Sequence, residues 1–312
     1  MGENCWQKCN AGWASSPLKD QIDENPKLRS PLSLPEHIMV GVYRKTQQLV
    51  AIKCIAKESL KKNAEVDAVR QEIRIHSQLQ HPCIAPLLFG EETPGSFLIV
   101  TPLANAGDLH EKTKYNAIRE LDARNFGEQM LEALSYLHGM GIMHGDIKPH
   151  NILLLEEHGK HRVQLCDFGL AQEVANNAGG CVKFTQLEGT AGYFSPEEIH
   201  GDDYGCASDL FVLGVILFEL IGGYAPFYPA QHFVEDVEFD CDAWQHASQD
   251  SQVVITSLLR LEPARRPSAR QALLATWFGI EIAETRQCCA IPPVSLPFLR
   301  FGEVQNVANP CD

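Results

Sequence analysis

Two short stretches carry most of the information in this chain: His144-Gly145-Asp146-Ile147-Lys148-Pro149-His150-Asn151 and Cys166-Asp167-Phe168-Gly169. Asp146 offers a carboxylate that can accept a proton, and Lys148 offers a cation two residues further on. Asn151 and Asp167 supply an amide oxygen and a carboxylate, the hard oxygen ligands that magnesium prefers. The spacing of these four groups matches the needs of phosphoryl transfer. A polar turn after a helix, the alternative interpretation, would not explain the whole set.

Each of the four groups has a distinct role in that chemistry. The Asp146 carboxylate would aim an attacking hydroxyl at the γ-phosphorus by accepting its proton. Lys148 would neutralise charge that builds up on the transferred phosphoryl oxygens. Asn151 and Asp167 would hold magnesium ions that bridge the phosphates. We therefore predict ATP and Mg²⁺ as the cofactors.

A lysine stands within the apolar run Leu49-Val50-Ala51-Ile52-Lys53-Cys54-Ile55. As a strand, this run places Lys53 on one face with the small residue Ala51, which could lie against adenine. A helix predicted over residues 66–79 provides Glu72 as a counter-charge for the lysine. Taken alone, Lys53 would be better explained as an edge-strand lysine that prevents aggregation. Together with Glu72, Asp146 and Asp167, the functional interpretation is favoured.

From about Val42 to Phe278 the chain resembles the protein kinase family. Three further motifs carry the resemblance in the expected order: Gly189-Thr190-Ala191-Gly192-Tyr193-Phe194-Ser195-Pro196-Glu197, Ser208-Asp209-Leu210-Phe211-Val212-Leu213-Gly214 and Glu262-Pro263-Ala264-Arg265-Arg266-Pro267-Ser268. The resemblance implies an α+β, bilobal fold with a small antiparallel-sheet lobe around one main helix and a larger, mostly helical lobe. It also implies that Glu72 pairs with Lys53 so that the lysine holds the α- and β-phosphates. Arg266 resembles the arginine that forms an ion pair with Glu197.

The resemblance also implies which residues line the nucleotide pocket. Thr101 corresponds to the gatekeeper, the Pro102 carbonyl faces the adenine amino group, and the Ala104 amide faces a ring nitrogen. Proline lacks an N–H, but its position needs only an acceptor. Leu153 forms the pocket floor, and Asp108 reaches the ribose or a substrate side chain.

Lys148 and Thr190 resemble the residues that align a serine or threonine hydroxyl, which favours serine/threonine specificity over tyrosine. The pattern that ends in Trp277-Phe278 is similar to that of the calcium/calmodulin-dependent kinase group. We predict protein substrates with basic residues upstream of the target, because Asp108 and Glu219 occupy positions that bind such residues. His150 replaces a third acidic position, which should make this preference shallow.

Three residues or segments depart from the family pattern. The family has GxGxxGxV on its first hairpin, whereas residues 34–53 contain only Gly41 and look several residues short. This missing or truncated glycine-rich loop supports an alternative function, a catalytically weak kinase-fold scaffold. Gly145 replaces an arginine that usually receives an activation-loop phosphate. His76 stands where an apolar residue is usual, and we expect it to be a partly buried, hydrogen-bonded core residue.

The composition is compatible with a bilobal enzyme. The 312 residues are 45% hydrophobic and 21% charged, which is enough for two substantial cores. The formal charge of −14 argues against general nucleic-acid binding and suggests attraction to basic partners. The 11 cysteines form no CxxC pair, which favours reduced thiols. No stretch approaches the roughly 18 apolar residues that cross a bilayer, so we expect a cytoplasmic or nuclear protein.

The chain is predicted to divide into a flexible N-terminal arm (1–35), a kinase domain (36–280) and an irregular tail (281–312). Within the kinase domain, the small lobe should span residues 36–103 and the large lobe 104–280. The tail is too poor in lysine and arginine for a convincing calmodulin-binding helix, so calmodulin is not predicted as a partner. Lipid anchoring at the N-terminus is not predicted either, because Trp6 interrupts the myristoylation pattern.

Overall fold

The computed structural model describes residues 16–24, 38–114, 117–174, 181–182, 190, 192–229 and 232–279. Within these ranges, a lobe built on an antiparallel sheet is followed by a lobe built mainly on helices. This arrangement confirms the predicted α+β, bilobal fold. None of the helices in the described ranges is both long and apolar enough to cross a membrane.

The small lobe is a five-stranded antiparallel sheet with the strand order β1-β2-β3-β5-β4. Its strands are β1 (Ile22–Glu24), β2 (Ile38–Tyr43), β3 (Gln48–Ala56), β4 (Phe89–Glu92) and β5 (Ser96–Pro102), and helix α1 (Asn63–His76) lies between β3 and β4 in the sequence. Burial alternates along β3, as expected for a strand with one covered face. Val69 and Ile73 of α1 pack against Phe97 and Ile99 of β5. The opposite face of β5 shares a second core with β3.

The predicted flexible arm is wrong for the part of residues 1–35 that the structure describes. Pro17–Asp20 form a 3-10 helix, and Ile22–Glu24 form the outer strand β1. Leu18 and Ile22 are buried in the sheet core, and this burial offsets the cost of ordering the segment. The four prolines of this region suggested irregular structure, but Pro17 occupies the first helical turn, where proline is tolerated.

The position of β1 also corrects the prediction about the first hairpin. Residues 34–53 looked like a shortened first hairpin, but β2 and β3 are the second and third strands of the sheet. The first hairpin consists of β1 and β2, joined by residues 25–37, so it is not truncated. That connection contains no glycine and contains Pro26, Pro31 and Pro35. The connection lies outside the described residues, and its sequence has none of the glycines of the family loop.

The large lobe consists of helices around one buried central helix. Its helices are α2 (Leu109–Thr113), α3 (Glu120–Gly139), α4 (Pro196–His200), α5 (Cys206–Gly222), α6 (Gln249–Leu258), α7 (Ala269–Ala272) and α8 (Thr276–Gly279). Nearly every residue of α5 from Ser208 to Ile221 is buried, as its continuous apolar sequence predicts. Helix α3 buries only one face, which includes Phe126, Met130 and Leu134. These helices share one large core with Phe168.

Short strands at the lobe junction position the two stretches that dominate the sequence. They are β6 (Ile142–Met143), β7 (Ile152–Glu157), β8 (Lys160–Leu165) and β9 (Gln172–Glu173), with β10 (Cys181–Val182) and β11 (Tyr204–Gly205) pairing further on. Residues 144–151 connect β6 to β7, and Asp167 follows β8. The Cys166 amide donates to the Asn151 carbonyl at 2.9 Å, which brings the two stretches together.

Candidate active site

Lys53 lies at the centre of a three-residue ionic cluster at the lobe junction. Its Nζ atom lies 2.9 Å from Glu72 Oε1 and 2.8 Å from Asp167 Oδ1. Strand β3 positions the lysine, α1 positions Glu72, and Asp167 follows β8. The structure therefore brings together three residues that are far apart in the sequence and that the sequence analysis assigned to one site.

Burial and the neighbouring charges shift the pKa values of the three groups to different extents. Burial opposes the charged form of Lys53, but the two carboxylates outweigh it and raise the pKa of the ammonium group. Burial likewise opposes ionisation of Asp167, yet the Lys53 charge holds the pKa of this carboxyl below its usual value. The more deeply buried Glu72 has its pKa raised by burial, with Lys53 acting in the opposite direction. The cluster thus keeps Asp167 ionised, as a metal ligand must be.

Asp167 and Phe168 adopt the conformation that keeps this carboxylate at the junction. Asp167 has a φ of +61°, in the left-handed region that aspartate tolerates better than most residues. Phe168 is fully buried, with its ring centroid 4.8 Å from His76 and 5.1 Å from His144. His76 is buried and its Nε2 lies 2.7 Å from the Ala85 carbonyl, as expected for a hydrogen-bonded core residue. Burial lowers the pKa of His76 to about 4, so the ring is neutral near pH 7.

The catalytic-loop candidates form a second cluster. Lys148 Nζ lies 2.6 Å from Asp146 Oδ2 and 3.0 Å from Thr190 Oγ1. Asn151 Nδ2 donates to the Asp146 carbonyl at 2.8 Å and to Asp146 Oδ2 at 2.9 Å. These contacts fix the amide nitrogen of Asn151 as the donor and leave its oxygen to accept a cation. Hydrogen bonds therefore link the side chains of Asp146, Lys148, Asn151 and Thr190 into one cluster.

Asp209 of α5 holds the start of this loop. Its carboxylate accepts the backbone amides of His144 and Gly145 at 2.9 and 3.0 Å, and it contacts His138 Nε2 at 2.9 Å. Burial opposes its ionisation, but the hydrogen bond from His138 and the other contacts lower the pKa of Asp209. A buried carboxylate with three donors is well satisfied, so Asp209 can steady the start of the catalytic loop.

Gly145 has a backbone conformation that suits glycine. Its φ is +75°, and a Cβ atom there would lie 2.8 Å from the Leu170 carbonyl oxygen. Glycine avoids the strain that another residue would carry at this position. Gly145 thus adopts this loop conformation without the strain that a side chain would add.

Two side chains of α1 that the sequence analysis missed tie this helix to β9. Gln71 Nε2 donates to the Ala171 carbonyl at 3.1 Å and to Gln172 Oε1 at 2.9 Å. Arg74 pairs with Glu173 at 2.7 Å. Their spacing along α1 places them on nearly the same face, one turn apart, and that spacing was the available signal.

The residues predicted to surround adenine are brought together by the sheet and the chain that follows it. Ala51 of β3 lies directly opposite Thr101 of β5, and Val50 lies opposite Pro102. The Leu103 amide donates to the Leu49 carbonyl at 3.0 Å, which holds the connection between the lobes against β3. Ala104 is buried. Their contacts with a nucleotide stay predictions.

Asp108 and Leu153 are paired in an isolated β-bridge at the start of the large lobe. Asp108 has a role that the sequence analysis did not anticipate, since its Oδ1 accepts the Glu111 amide at 2.9 Å and caps α2. Beside it, the rings of His110 and His150 stack with centroids 3.9 Å apart and an interplanar angle of 19°. No sequence motif contains His110, and only its contact with His150 identifies it as part of this site.

Helix α4 is anchored by a buried ion pair. The Nη1 and Nη2 atoms of Arg266 donate to the two oxygens of the Glu197 carboxylate, at 2.6 and 2.7 Å. This contact is the one that the motifs implied for the pair. Next to it, Glu198 accepts hydrogen bonds from the Ser195 amide and hydroxyl, both at 2.7 Å. Thr185, Gly189 and Ala191 of the preceding stretch lie outside the described residues.

Glu198 is expected to make the stability of the protein depend on pH. Burial raises the pKa of this carboxyl to about 7, against the opposing hydrogen bonds from Ser195. The folded state therefore binds more protons than the unfolded state from about pH 4.5 to 7, and the free energy of unfolding falls as pH rises through that range. In the parent, ionisation of Glu198 should lower the free energy of unfolding by about 1–3 kcal/mol between about pH 5 and pH 8. We expect Glu198→Gln to lack this decrease.

Urea unfolding of the parent and of Glu198→Gln at both pH values measures this effect. The exposed Glu262 provides a control, since Glu262→Gln should leave the pH dependence of the parent unchanged. Equal pH dependence in the parent and Glu198→Gln would show that Glu198 is already ionised at the lower pH.

A sheet lobe and a helical lobe meet at two clusters of side chains, one around Lys53 and one around Asp146. This arrangement defines a bilobal, kinase-type fold. Residues 37–278 match the family model described as protein kinase domain. The calcium/calmodulin-dependent protein kinase type 1B of Rattus norvegicus is 33% identical over 257 residues, covering 80% of this chain and 73% of the relative. The human type 1B protein is 32% identical over the same shares. The calcium/calmodulin-dependent protein kinase cmkA of Emericella nidulans is 34% identical, covering 76% of this chain and 58% of that protein.

The chain therefore belongs to the protein kinase family, in the calcium/calmodulin-dependent group of serine/threonine kinases.

Proposed function

We propose that this protein is an active serine/threonine kinase that transfers the γ-phosphate of ATP to hydroxyl groups of proteins. The contact of Lys53 with both Glu72 and Asp167 carries this proposal. In protein kinases, the pairing of the strand lysine with the helix glutamate and the placement of the metal-binding aspartate are both required for activity. Here the three side chains have that arrangement.

The catalytic loop supplies the groups that act on the hydroxyl. Asp146 Oδ2 is held by Lys148 and Asn151, so Oδ1 is the oxygen left to accept the proton of an incoming hydroxyl. Lys148 lies between Asp146 and Thr190, where its charge can stabilise the phosphoryl oxygens as the hydroxyl attacks. Thr190 keeps the lysine in place and adds a hydroxyl that favours serine and threonine substrates.

Asn151 and Asp167 fit a magnesium site by the chemistry of their donors. Asp167 is kept ionised by Lys53, and the Asn151 amide nitrogen is already engaged, which directs its oxygen to a cation. When bound, magnesium would neutralise charge on the phosphates. Lys53 would hold the α- and β-phosphates, while Ala51, Thr101, Pro102, Ala104 and Leu153 would enclose the adenine.

A weakly catalytic kinase-fold scaffold is the second candidate function. The connection between β1 and β2 favours it, because residues 25–37 lack the glycines whose amides would approach the phosphates. Thermal unfolding with and without ATP and magnesium, followed by transfer of radiolabelled phosphate to a serine/threonine peptide library, separates the two. Stabilisation by ATP together with transfer supports the kinase, and stabilisation without transfer supports the scaffold.

We further propose that basic residues upstream of the target hydroxyl are weakly preferred. A groove lined by His110, Pro149, Tyr193 and Glu219 lies beside the catalytic loop. Glu219 accepts the Tyr193 hydroxyl at 3.1 Å and is largely buried, and burial raises the pKa of this carboxyl. Burial, followed by the neighbouring His110, lowers the pKa of His150. His150, which stacks on His110 beside this groove, therefore presents a neutral imidazole where a third carboxylate would strengthen arginine binding.

His150→Glu is expected to deepen the preference for an upstream arginine. A charge-assisted contact of this kind contributes on the order of 1–3 kcal/mol, or about 5- to 150-fold in kcat/KM. The measurement is the ratio of kcat/KM for two peptides that differ only by arginine or alanine upstream of the serine. His246→Glu adds the same charge at an exposed position as a control. An unchanged ratio in His150→Glu would mean that residue 150 does not face the substrate.

Calmodulin dependence appears in the names of the relatives and is not proposed for residues 281–312. These residues contain Arg286 and Arg300 and no lysine, which is a poor composition for a calmodulin-binding helix. The absence of calmodulin binding by these residues, and a cytoplasmic or nuclear location, stay predictions. Attraction of basic protein partners follows from the acidic net charge of −14.

A further inference from the structure

Residues 16–24 are held on the small lobe by a hydrogen bond at one end and by burial along their length. Ser16 Oγ donates to Glu91 Oε2 of β4 at 2.5 Å and accepts the Leu18 amide at 3.0 Å. The side chains of Leu18 and Ile22 are 5% and 1% exposed. Ser16 therefore joins the start of the segment to the opposite edge strand of the sheet.

The fit of this segment supports the strand that carries Lys53. Ile22 packs so closely over β2 that a Cβ atom on Gly41 would lie 2.6 Å from its Cγ2 atom. Leu18 and Ile22 share a core with Val50 and Ile52 of β3. If the segment left the sheet, it would uncover one face of the strand that positions Lys53.

Ser16 also begins the sequence Ser16-Pro17-Leu18-Lys19. A serine followed by proline, with a basic residue three positions after the serine, is the pattern that proline-directed protein kinases recognise. The residue that anchors the segment is thus the one that such an enzyme would modify.

We propose that Ser16 is a phosphorylation site and that its modification releases residues 16–24 from the small lobe. In the reaction, Ser16 Oγ attacks the γ-phosphorus of ATP bound to a separate proline-directed kinase. The new P–Oγ bond replaces the bond to ADP, and the hydroxyl proton passes to that enzyme's base. The proton lost is the one that joins Ser16 Oγ to Glu91, and a dianion then faces a carboxylate.

Attraction between a phosphate and the N-terminus of a helix would oppose release of the segment. The helix after Ser16 is a single 3-10 turn, Pro17–Asp20, and its dipole is correspondingly small. Ser16 is 5% exposed, whereas a phosphate requires hydration or cationic partners. Repulsion from Glu91 and the lack of hydration therefore outweigh attraction to the helix.

Burial of Ser16 makes docking and modification mutually exclusive. The modifying kinase can act only when the segment is undocked, and the phosphate then prevents redocking. Because the two equilibria are linked, a variant that weakens docking must speed modification. Leu18→Ala removes buried contacts without altering Ser16 or Pro17 and should be phosphorylated several-fold faster than the parent.

The test treats the full chain with a recombinant proline-directed kinase and MgATP. A Ser30→Ala background removes a second serine-proline sequence, Ser30-Pro31, and mass spectrometry locates the phosphate. Hydrogen exchange of the amides in residues 18–24 reports docking directly, without a measurement of this protein's own activity. We expect exchange about tenfold faster or more after Ser16 modification, with a lower midpoint of thermal unfolding.

Two carboxylate variants distinguish repulsion from a general effect of phosphate. Glu91→Gln keeps an acceptor for the serine hydroxyl but removes the charge, so phosphorylation should accelerate exchange much less. Glu92→Gln makes the same change one residue along β4, where the side chain instead pairs with Lys57 and Arg70. This control should respond to phosphate as the parent does.

Unchanged exchange of residues 18–24 in the Ser16-phosphorylated protein would overturn the proposal. It would also be overturned if neither the parent nor Leu18→Ala accepted phosphate at Ser16. An equal response of Glu91→Gln and Glu92→Gln would reject the role of Glu91.

Discussion

Lys53→Met is expected to abolish phosphate transfer while leaving the protein folded. The substitution removes the only cation that contacts both Glu72 and Asp167 among the residues that the structure describes, so neither the phosphates nor the metal-binding carboxylate would be held. Loss of one preorganised charge of this kind typically reduces kcat by about 100-fold or more. Transfer of radiolabelled phosphate at saturating MgATP measures the effect.

Lys57→Met provides the matched control for this experiment. Lys57 also pairs with a glutamate, Glu92 at 2.7 Å, but it lies after β3 and away from the catalytic clusters. It should keep most of the parental rate. In Lys53→Met the buried Glu72 loses its partner and is expected to take up a proton, which limits the loss of stability. A folded Lys53→Met protein with parental activity would contradict the proposed mechanism.

Arg266→Met is expected to destabilise the large lobe by about 3–5 kcal/mol, because removal of one partner leaves a buried charge uncompensated. The Arg266 side chain is fully buried, and Glu197 is 5% exposed. The guanidinium also donates to the carbonyls of Ala207, Arg260 and Leu261, which would lose their donor. Thermal unfolding monitored by circular dichroism should show a midpoint about 10 °C lower.

The adjacent arginine makes the control for this prediction. Arg265 pairs with Glu262 on the surface, where both side chains are more than half exposed. Arg265→Met should therefore change the stability by less than about 1 kcal/mol. If Arg266→Met and Arg265→Met unfolded at the same temperature, the buried ion pair would not stabilise the fold.

The sequence alone determined the family and the bilobal fold, and it predicted the side chains that form the two clusters at the lobe junction. Asp146, Lys148 and Asn151 fall within one short loop, so their mutual contacts are largely set by local spacing. Lys53 could be predicted because it interrupts a short apolar run that reads as a strand. Asp167 could be predicted because it follows a strand and precedes Phe168-Gly169. These patterns can be recognised because groups that act on a transferred phosphate must occupy fixed positions relative to it.

Elements that are defined only by contacts between distant residues could not be predicted from the sequence. β1 has three residues, too few for a visible alternation, and only its pairing with β2 identifies it as a strand. Without β1, residues 34–53 resemble the first hairpin although they contain the second and third strands. The connection of that hairpin therefore looks truncated. The prolines around β1 added to the error, since they suggested an irregular arm.

Tertiary structure alone decided the roles of several polar side chains. Asp108 caps α2, Ser16 anchors an outer segment to Glu91, and His110 stacks on His150. None of these contacts follows from periodicity or motif, because each depends on which surfaces the packed core brings together. Short-range spacing thus set the chemistry of the active site, whereas burial and long-range packing determined how its surroundings are held.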